Sequence, residues 1–256
     1  MTRVSVVIPV HNDEIFLDRC LRHLAEQSVL PAEIIIVDNA STDGSAAVAR
    51  AHGARVVEER RVGIPIAAAT GYDTATGDII ARCDADSIVG PNWISTLTQA
   101  LAARPQAAAV TGWGWFYDIP GPVSRVLAVL YLGGYYALGG LACGHHLLWG
   151  SSMAIRRSAW AEVSDKVHRT NSELHDDMDL AFVLGPNAKI ALVPSLLVGV
   201  SGRSVRFGEQ WKPRIVRGFN TIGVNWREMP PWERWRHRLP KKMRVTARES
   251  AFADSA

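Results

Sequence analysis

The chain has 256 residues, of which 48% are hydrophobic and 21% are charged, and its formal net charge is +3. This length and apolar content suit one substantial α/β core, alone or with a small appendage, and exclude an intrinsically disordered chain. The three cysteines are widely separated and show no C-x-x-C spacing, which argues against a disulfide framework or a structural zinc site and favours a reducing cytoplasm. The N-terminal residues enter a strand-like run directly, so we expect no export signal.

The first half of the chain predicts alternating strands and helices. Strands are predicted at 4–10, 33–38, 54–57 and 79–83, and helices at 14–27, from about 45 to 52, and at 64–76. Pro91 is expected to open another helix. This order is the βαβ pattern of a parallel sheet, so we predict an α/β fold with a Rossmann-like, mostly parallel central sheet flanked by helices.

The second half predicts strands at 107–111, 152–155 and 189–193 and a helix at 176–184. Between them, the segment 126–143 is almost wholly apolar but contains four glycines. About 20 apolar residues are needed to span a bilayer, and glycine lowers helix propensity. Three interpretations stay open for this segment: a spanning helix, a helix at the membrane surface, and a buried or dimer-forming helix.

Polar residues follow three of the predicted strands, at the edge where open α/β sheets bind ligands. Asp84 and Asp86 stand two residues apart after a hydrophobic strand, with no basic residue inside the motif, and such a pair would suit a hard divalent cation together with substrate phosphates. A solvated or loop-capping pair is the alternative. Asp38 ends the second strand and could bind a ribose or a base edge, or could cap the following helix.

A second acidic group opens the helix at 176–184. Acids in a first turn are favoured by the helix dipole, but three in four positions exceed what a cap requires. Asp176 and Asp179 share a helix face and Asp177 points about 100° away, so the group can divide between a structural role and a general base.

Five motifs in order give the chain a family resemblance over roughly residues 3–195. They are Val6-Val7-Ile8-Pro9 with Asn12; Ile36 to Gly44; Gly77-Asp78-Ile79-Ile80 leading to Asp84-Ala85-Asp86; Gly150 to Arg157; and Asp176 to Leu180. Together they resemble the motifs of family 2 glycosyltransferases of the GT-A fold. That resemblance implies an inverting enzyme that moves a sugar from a nucleoside-diphosphate sugar of the UDP, GDP or dTDP type to an acceptor hydroxyl.

The resemblance also implies roles for individual residues. The donor pocket would contain Pro9, His11, Asp13 or Glu14, Asp38, Gly63, Asp84 and Ala85. Asp86 with Asp84 would hold Mg²⁺ or Mn²⁺, with Asp84 also near the ribose. Asp176 and Asp177 match the family's acidic motif, with Asp177 as the base. The chain would divide into a GT-A domain at 1–202, with a donor half at 1–112 and an acceptor half at 113–202, and a tail at 203–256.

Two positions depart from the family pattern. Many relatives carry a metal-binding histidine in the stretch that matches 197–203, where this chain has none. Arg203 could bind the diphosphate instead, or His175 could approach the metal from another side. His11 stands where relatives vary and could be a satisfied polar side chain of the first loop.

The tail carries most of the positive charge: residues 203–256 hold 13 basic and 5 acidic side chains, against 15 and 20 in residues 1–202. In 211–244 the tryptophans Trp211, Trp226, Trp232 and Trp235 alternate with Lys212, Arg214, Arg217, Arg227, Arg234, Arg236, Arg238, Lys241, Lys242 and Arg244. With the apolar segment, this predicts a basic, tryptophan-rich helical tail, peripheral attachment to the inner face of the cell membrane and a lipid-linked or cell-envelope acceptor. A solvated or homodimer-forming surface is the alternative, and no nucleic-acid partner is expected.

Two other functions are alternatives to sugar transfer. A non-catalytic nucleotide-sugar-binding module or membrane-associated interaction subunit would be free to lose one of the acidic groups, and this chain has both. A nucleotidyltransferase would require a glycine-rich loop with a basic residue after the first strand, where this chain has Pro9-Val10-His11-Asn12-Asp13.

Overall fold

The computed structural model describes residues 2–204 and 211–238, and the predicted basic residues Lys241, Lys242 and Arg244 lie outside that part of the chain. The elements of the first half are β1 (Val4–Val10), α1 (Glu14–Ala25), β2 (Glu33–Asp38), α2 (Ser45–Ala51), β3 (Arg55–Glu58), α3 (Ile64–Thr74), β4 (Ile79–Arg82), β5 (Ile88–Val89) and α4 (Trp93–Ala102). Those of the second half are β6 (Ala107–Phe116), α5 (Gly121–Cys143), β7 (Met153–Arg156), α6 (Arg157–Val163), α7 (Asp176–Leu184), β8 (Lys189–Val200), α8 (Trp211–Glu228) and α9 (Pro231–Arg238).

One eight-stranded sheet of order β3-β2-β1-β4-β7-β6-β8-β5 forms the centre of the fold. The first four strands in this order are parallel, and β6 pairs in parallel with β8. Strand β7 runs antiparallel to both β4 and β6, and β5 runs antiparallel to β8. The predicted α/β class with a mostly parallel sheet is therefore confirmed.

The parallel half is tightly packed because its strands are apolar on both faces. In β1 and β2 the side chains of Val7, Ile8, Ile35 and Ile36 are fully buried. Helix α3 lies so close to this sheet that a methyl group added at Gly71 would stand 2.3 Å from a methyl carbon of Val7. This packing fixes the strand ends that carry the polar residues.

Several predicted boundaries differ from the structure. Strands β6 and β8 run to Phe116 and Val200, well past the predicted ends, because their C-terminal parts pair with each other after a register shift. The helix after Pro91 begins at Trp93, while the two-residue β5 and the helix α6 were not predicted.

Helix α5 is longer than the predicted segment 126–143 and includes the glycines without a break. Its inward stripe contains Ala128, Leu132 and Tyr136, whereas Leu130 and Leu138 are 68% and 72% exposed. By length and composition alone, it is the one helix in the described residues that is long and apolar enough to cross a membrane, although a third of its most apolar stretch is buried in the protein.

The described part of the tail packs on the domain through polar contacts. Asn225 of α8 is fully buried and donates a 2.8 Å hydrogen bond to Asp179 of α7. Arg234 of α9, predicted to belong to the basic surface, is instead 4% exposed, and its guanidinium donates to the carbonyls of Phe182, Asn225 and Met229. Helices α8 and α9 are thereby anchored to α7.

Candidate active site

The loop after β2 is held to the loop after β1 by side-chain hydrogen bonds. His11 donates from Nδ1 to the carbonyl of Asn39 at 2.6 Å, and a carboxylate oxygen of Glu14 accepts from the backbone N–H of Gly44 at 2.6 Å. Asp38 accepts from the N–H of Ser41 at 3.0 Å through one oxygen. His11 and Glu14 therefore organise this edge of the sheet, whatever further contact they make with a donor.

Asn39, which the sequence analysis did not single out, orders the next loop. Its side-chain oxygen accepts from the N–H of Gly63 at 2.7 Å, and its amide donates to the carbonyls of Glu59 and Arg61 at 3.0 and 2.7 Å. Gly63 lines a small cavity with Pro65. Pro9 lies half-buried opposite Val37 on the adjacent strand. The predicted donor residues at 9, 38 and 63 thus belong to neighbouring segments at one edge.

The Asp84–Asp86 pair lies just past the end of β4, with the intervening Ala85 buried in the core. Asp84 accepts a 2.5 Å hydrogen bond from the Ser151 hydroxyl. Asp86 forms a 2.8 Å ion pair with Arg203, whose guanidinium also lies 3.4 Å from Asp13. The sequence motif contains no basic residue, but the fold supplies two, because the guanidinium of Arg82 lies 3.4 Å from Asp84.

The charge at this pair suits a divalent cation. Burial and repulsion from Asp84 raise the pKa of Asp86 above its ordinary range, even though Arg203 opposes the rise. Asp84 and Asp86 therefore still repel each other, and a divalent cation between them would relieve that repulsion. No group of three or more histidine, cysteine or acidic side chains converges among the described residues, so a metal held by Asp84 and Asp86 would take its other ligands from a diphosphate or water.

Helix α7 presents its three acids in different environments. Asp176 pairs with the buried guanidinium of Arg82, and Asp179 accepts from the backbone N–H and from Nδ1 of His168, each at 2.8 Å. Asp177 accepts from the N–H of Gly150 at 2.8 Å and from that of Met178 at 2.8 Å. Asp176 and Asp179 thus contact charged or ionisable groups, whereas Asp177 accepts from backbone amides.

One dipeptide, Gly150–Ser151, is hydrogen-bonded both to Asp177 of helix α7 and to Asp84 after β4. Gly150 donates its N–H to Asp177, and the adjacent Ser151 donates its hydroxyl to Asp84. Consecutive Cα atoms are 3.8 Å apart, so Asp84 and Asp177 lie on neighbouring sides of the same short segment. Arg82 joins the groups a second time, because it contacts both Asp84 and Asp176.

The ring of His175 contacts helix α8. Its Nε2 lies 2.9 Å from the carbonyl of Arg214 on α8. This contact gives no support to His175 as a third metal ligand, whereas Arg203 reaches Asp86.

Arg82 and Ser151 were missed as site residues. Arg82 had a detectable signal, since it is a cation inside an apolar strand, and such a residue is rarely buried without a partner. Ser151 lies in the Gly150 to Arg157 motif, but its contact with Asp84 depends on how β7 pairs with β4.

The mostly parallel central sheet flanked by helices matches the structures of GT-A glycosyltransferases. The chain belongs to the family described as glycosyl transferase family 2, whose model matches residues 5–163.

Curated relatives match parts of the chain. Glycosyltransferase GlyG of Streptococcus pneumoniae is 35% identical over 121 residues, which cover 45% of this chain and 40% of GlyG. The undecaprenyl-phosphate 4-deoxy-4-formamido-L-arabinose transferase of Sodalis glossinidius is 36% identical over 110 residues, covering 39% of this chain and 34% of that protein. The matches thus span well under half the length of these two relatives.

Solved structures show the same fold at low identity. Glucosyl-3-phosphoglycerate synthase of Mycobacterium tuberculosis, in a complex with Mn²⁺, UDP-glucose and phosphoglyceric acid, is 22% identical with a TM-score of 0.59, covering 88% of this chain and 79% of that one. The mannosyltransferase PcManGT of Pyrobaculum calidifontis, in complex with GDP-mannose and Mn²⁺, is 18% identical with a TM-score of 0.59, covering 98% and 80%.

Proposed function

We propose that this chain is an inverting, metal-dependent glycosyltransferase that moves a sugar from a nucleoside-diphosphate sugar to an acceptor hydroxyl. The observation that carries the proposal is the Gly150–Ser151 dipeptide, which contacts Asp177 on one side and Asp84 on the other. This arrangement would allow a base for the acceptor and the carboxylates for the donor to reach one sugar. The residues 1–112 would bind the donor and 113–202 the acceptor.

In the proposed reaction Asp177 removes the proton from the acceptor hydroxyl as its oxygen attacks the anomeric carbon. The bond from that carbon to the diphosphate oxygen breaks on the opposite face, so the configuration inverts and the nucleoside diphosphate leaves with the bonding electrons. Asp176 is ion-paired to Arg82, which makes it the weaker candidate for the base.

Asp86 and Asp84 would hold Mg²⁺ or Mn²⁺, which would balance the charge that develops on the leaving diphosphate. The Mn²⁺ complexes of the two structural neighbours support this choice of ion. Arg203 would add a second cation, since it already lies against Asp86 and Asp13 at the donor edge. The donor pocket would be completed by Pro9, His11, Asp38, Gly63 and Ala85, with Asp13 or Glu14.

The test is the Asp177→Asn variant, which keeps the size of the side chain and one of its two accepting oxygens but loses the basic carboxylate. We expect sugar transfer to fall by at least 100-fold while binding of UDP or GDP with Mn²⁺, measured by calorimetry, changes less than threefold. Asp165→Asn, which changes an acid outside the proposed site, serves as the matched control. Near-normal transfer by Asp177→Asn would remove this residue from the mechanism.

We further propose that the enzyme works at the inner face of the cell membrane on a lipid-linked acceptor. The outward face of α5 exposes Val123, Val126, Leu130 and Leu141, and the only charged residue of this helix is Arg125. An exposed apolar helix face of this length is unusual for a protein surrounded by water.

The tail extends that apolar face with residues suited to a membrane interface. Trp226 and Trp235 donate their indole N–H groups to the carbonyls of Ala142 and Leu141 at the end of α5, at 2.9 and 3.1 Å. Arg227 and Arg236 are exposed next to these tryptophans in sequence. Tryptophan favours the headgroup zone and arginine favours anionic lipid, so a bilayer surface fits better than a second copy of the chain. The undecaprenyl-phosphate transferase among the relatives supports a lipid-linked acceptor.

A non-catalytic sugar-nucleotide-binding or interaction subunit is the alternative. It predicts nucleotide binding with no release of sugar or nucleoside diphosphate in the presence of membrane extract. Turnover that depends on Asp177 would exclude it.

A further inference from the structure

Arg82 is a buried cation at the junction of the two acidic groups. Its side chain is 4% exposed, and one end of the guanidinium contacts Asp176 and, at 3.3 Å, the hydroxyl of Tyr72. The other end lies 3.4 Å from Asp84. Gly150 packs against it so closely that a methyl group there would stand 2.8 Å from the guanidinium carbon. A single planar group thus touches Asp84 after β4, Asp176 on helix α7 and the Gly150 segment that binds Asp177.

The charges explain why this position needs an arginine. A buried cation requires ionic or hydrogen-bonding partners, and Arg82 has the carboxylates of Asp176 and Asp84 together with the hydroxyl of Tyr72. Burial raises the pKa of Asp176, and Arg82 opposes that rise. The forked guanidinium can bind two carboxylates at once, which the single ammonium of lysine does less well.

Asp176 and Asp177 are adjacent in sequence but unequal in their partners. Asp176 has an oxygen on Arg82, whereas Asp177 accepts only from backbone N–H groups in the contacts of the described residues. An oxygen that accepts from a buried guanidinium is held in place by it and is not free to turn toward an acceptor hydroxyl. The contacts therefore favour Asp176 as a fixed counter-ion and Asp177 as the base.

We propose that Arg82 is a positioning residue for sugar transfer: it fixes Asp176 as a counter-ion, leaves Asp177 as the base, and joins Asp84 to helix α7. This inference rests on the proposed function, because it assigns roles within the same reaction. Arg82 acts through the carboxylates and through Gly150.

A purely structural ion pair makes a different prediction. Replacing both partners of a buried pair by apolar residues commonly restores stability, so a structural Arg82 would be replaceable together with Asp176. A positioning Arg82 would not be, because Asp84 and the Gly150 segment would lose their shared partner.

The first experiment compares Arg82→Lys with Arg156→Lys. Arg156 lies on β7, directly across from Ile79 of β4, and its guanidinium donates to backbone carbonyls such as that of Ala107. For Arg82→Lys we expect kcat to fall at least 30-fold with the donor KM within threefold of wild type. For Arg156→Lys we expect kcat within twofold. Wild-type kcat in Arg82→Lys would overturn the proposal.

The second experiment separates positioning from folding with the double variant Arg82→Met/Asp176→Leu. We expect its melting temperature to return to within a few degrees of wild type, with calorimetric binding of UDP and Mn²⁺ retained and kcat still reduced at least 100-fold. A double variant with kcat within threefold of wild type would show that the pair serves folding alone. An inactive wild-type protein would instead contradict the proposed function itself.

Discussion

Two glutamates on the exposed face of α5 should weaken binding to anionic membranes. Leu130 and Leu141 are 68% and 62% exposed and lie eleven residues apart, which is three helical turns, so both point to the same side. Burying a whole leucine side chain contributes roughly 1.5–3 kcal/mol, so the exposed two thirds of each contributes about 1–2 kcal/mol at a membrane. The double variant Leu130→Glu/Leu141→Glu should lose about 2–4 kcal/mol of binding free energy, or roughly 30-fold to several hundred-fold in affinity.

The assay is co-sedimentation with vesicles that contain an anionic lipid, over a range of lipid concentrations. The matched control is Val29→Glu/Leu30→Glu, which adds the same charge at residues that are 50% and 67% exposed in the loop after α1. The control should bind as the wild type does, because these residues belong to a different surface. Circular dichroism and melting temperature should be unchanged in both variants, since all four side chains are exposed.

Equal loss of binding in the two double variants would show that added negative charge, and not the α5 face, explains the effect. Unchanged binding in Leu130→Glu/Leu141→Glu would refute the assignment of α5 as the membrane-contacting helix. A wild-type protein that dimerises and ignores vesicles would favour a second copy of the chain as the partner of this face.

Three further predictions concern packing, pH and the metal. Gly71→Ala should destabilise the fold by about 1–3 kcal/mol, because the new methyl group would collide with Val7. Its melting temperature should therefore fall by several degrees. An unchanged melting temperature would contradict the close packing of α3 against the sheet. Burial lowers the pKa of His168, but its hydrogen bonds to two carboxylates outweigh burial and raise that pKa above the ordinary 6.5. The protonated His168 should therefore stabilise the fold fully below pH 6.5, and this stabilisation should be lost as the pH rises through the folded-state pKa. In denaturant titrations, the free energy of unfolding of His168→Gln should depend less on pH than that of the wild type. Arg203→Gln should increase the affinity for Mn²⁺ alone by up to about fivefold, since Arg203 competes with the metal for Asp86. The same variant should weaken the binding of UDP. Calorimetry that shows no change in either affinity would place Arg203 outside the proposed donor site.

The sequence predicted best where one local pattern determined the structure. The bounds of β1, β2 and α7 match the predicted 4–10, 33–38 and 176–184, because unbroken apolar runs or a first turn of acids set them. The two-residue β5 has too little sequence to carry a pattern, and the far ends of β6 and β8 depend on pairing with each other.

In the candidate site, too, local features could be predicted from the sequence and long-range contacts could not. Carboxylates at strand ends and at the start of α7 are visible in sequence, because their position relative to apolar runs is local. The contacts that these carboxylates make with other side chains are not visible in the sequence. Arg82 meets Asp176 across 94 residues and Ser151 meets Asp84 across 67, so these contacts exist only once the sheet has formed. Arg203 reaches Asp86 across 117 residues in the same manner.

The most direct test of sugar transfer is a release assay with UDP-, GDP- and dTDP-sugars, each with Mn²⁺ and with a strong chelator. We predict that one nucleotide class gives nucleoside diphosphate, that chelation reduces the rate by at least tenfold, and that Asp177→Asn stops transfer to acceptor under both conditions. Rates that are the same with chelator and with Mn²⁺ would contradict the metal assignment, and no release from any donor in the presence of membrane extract would contradict the enzyme.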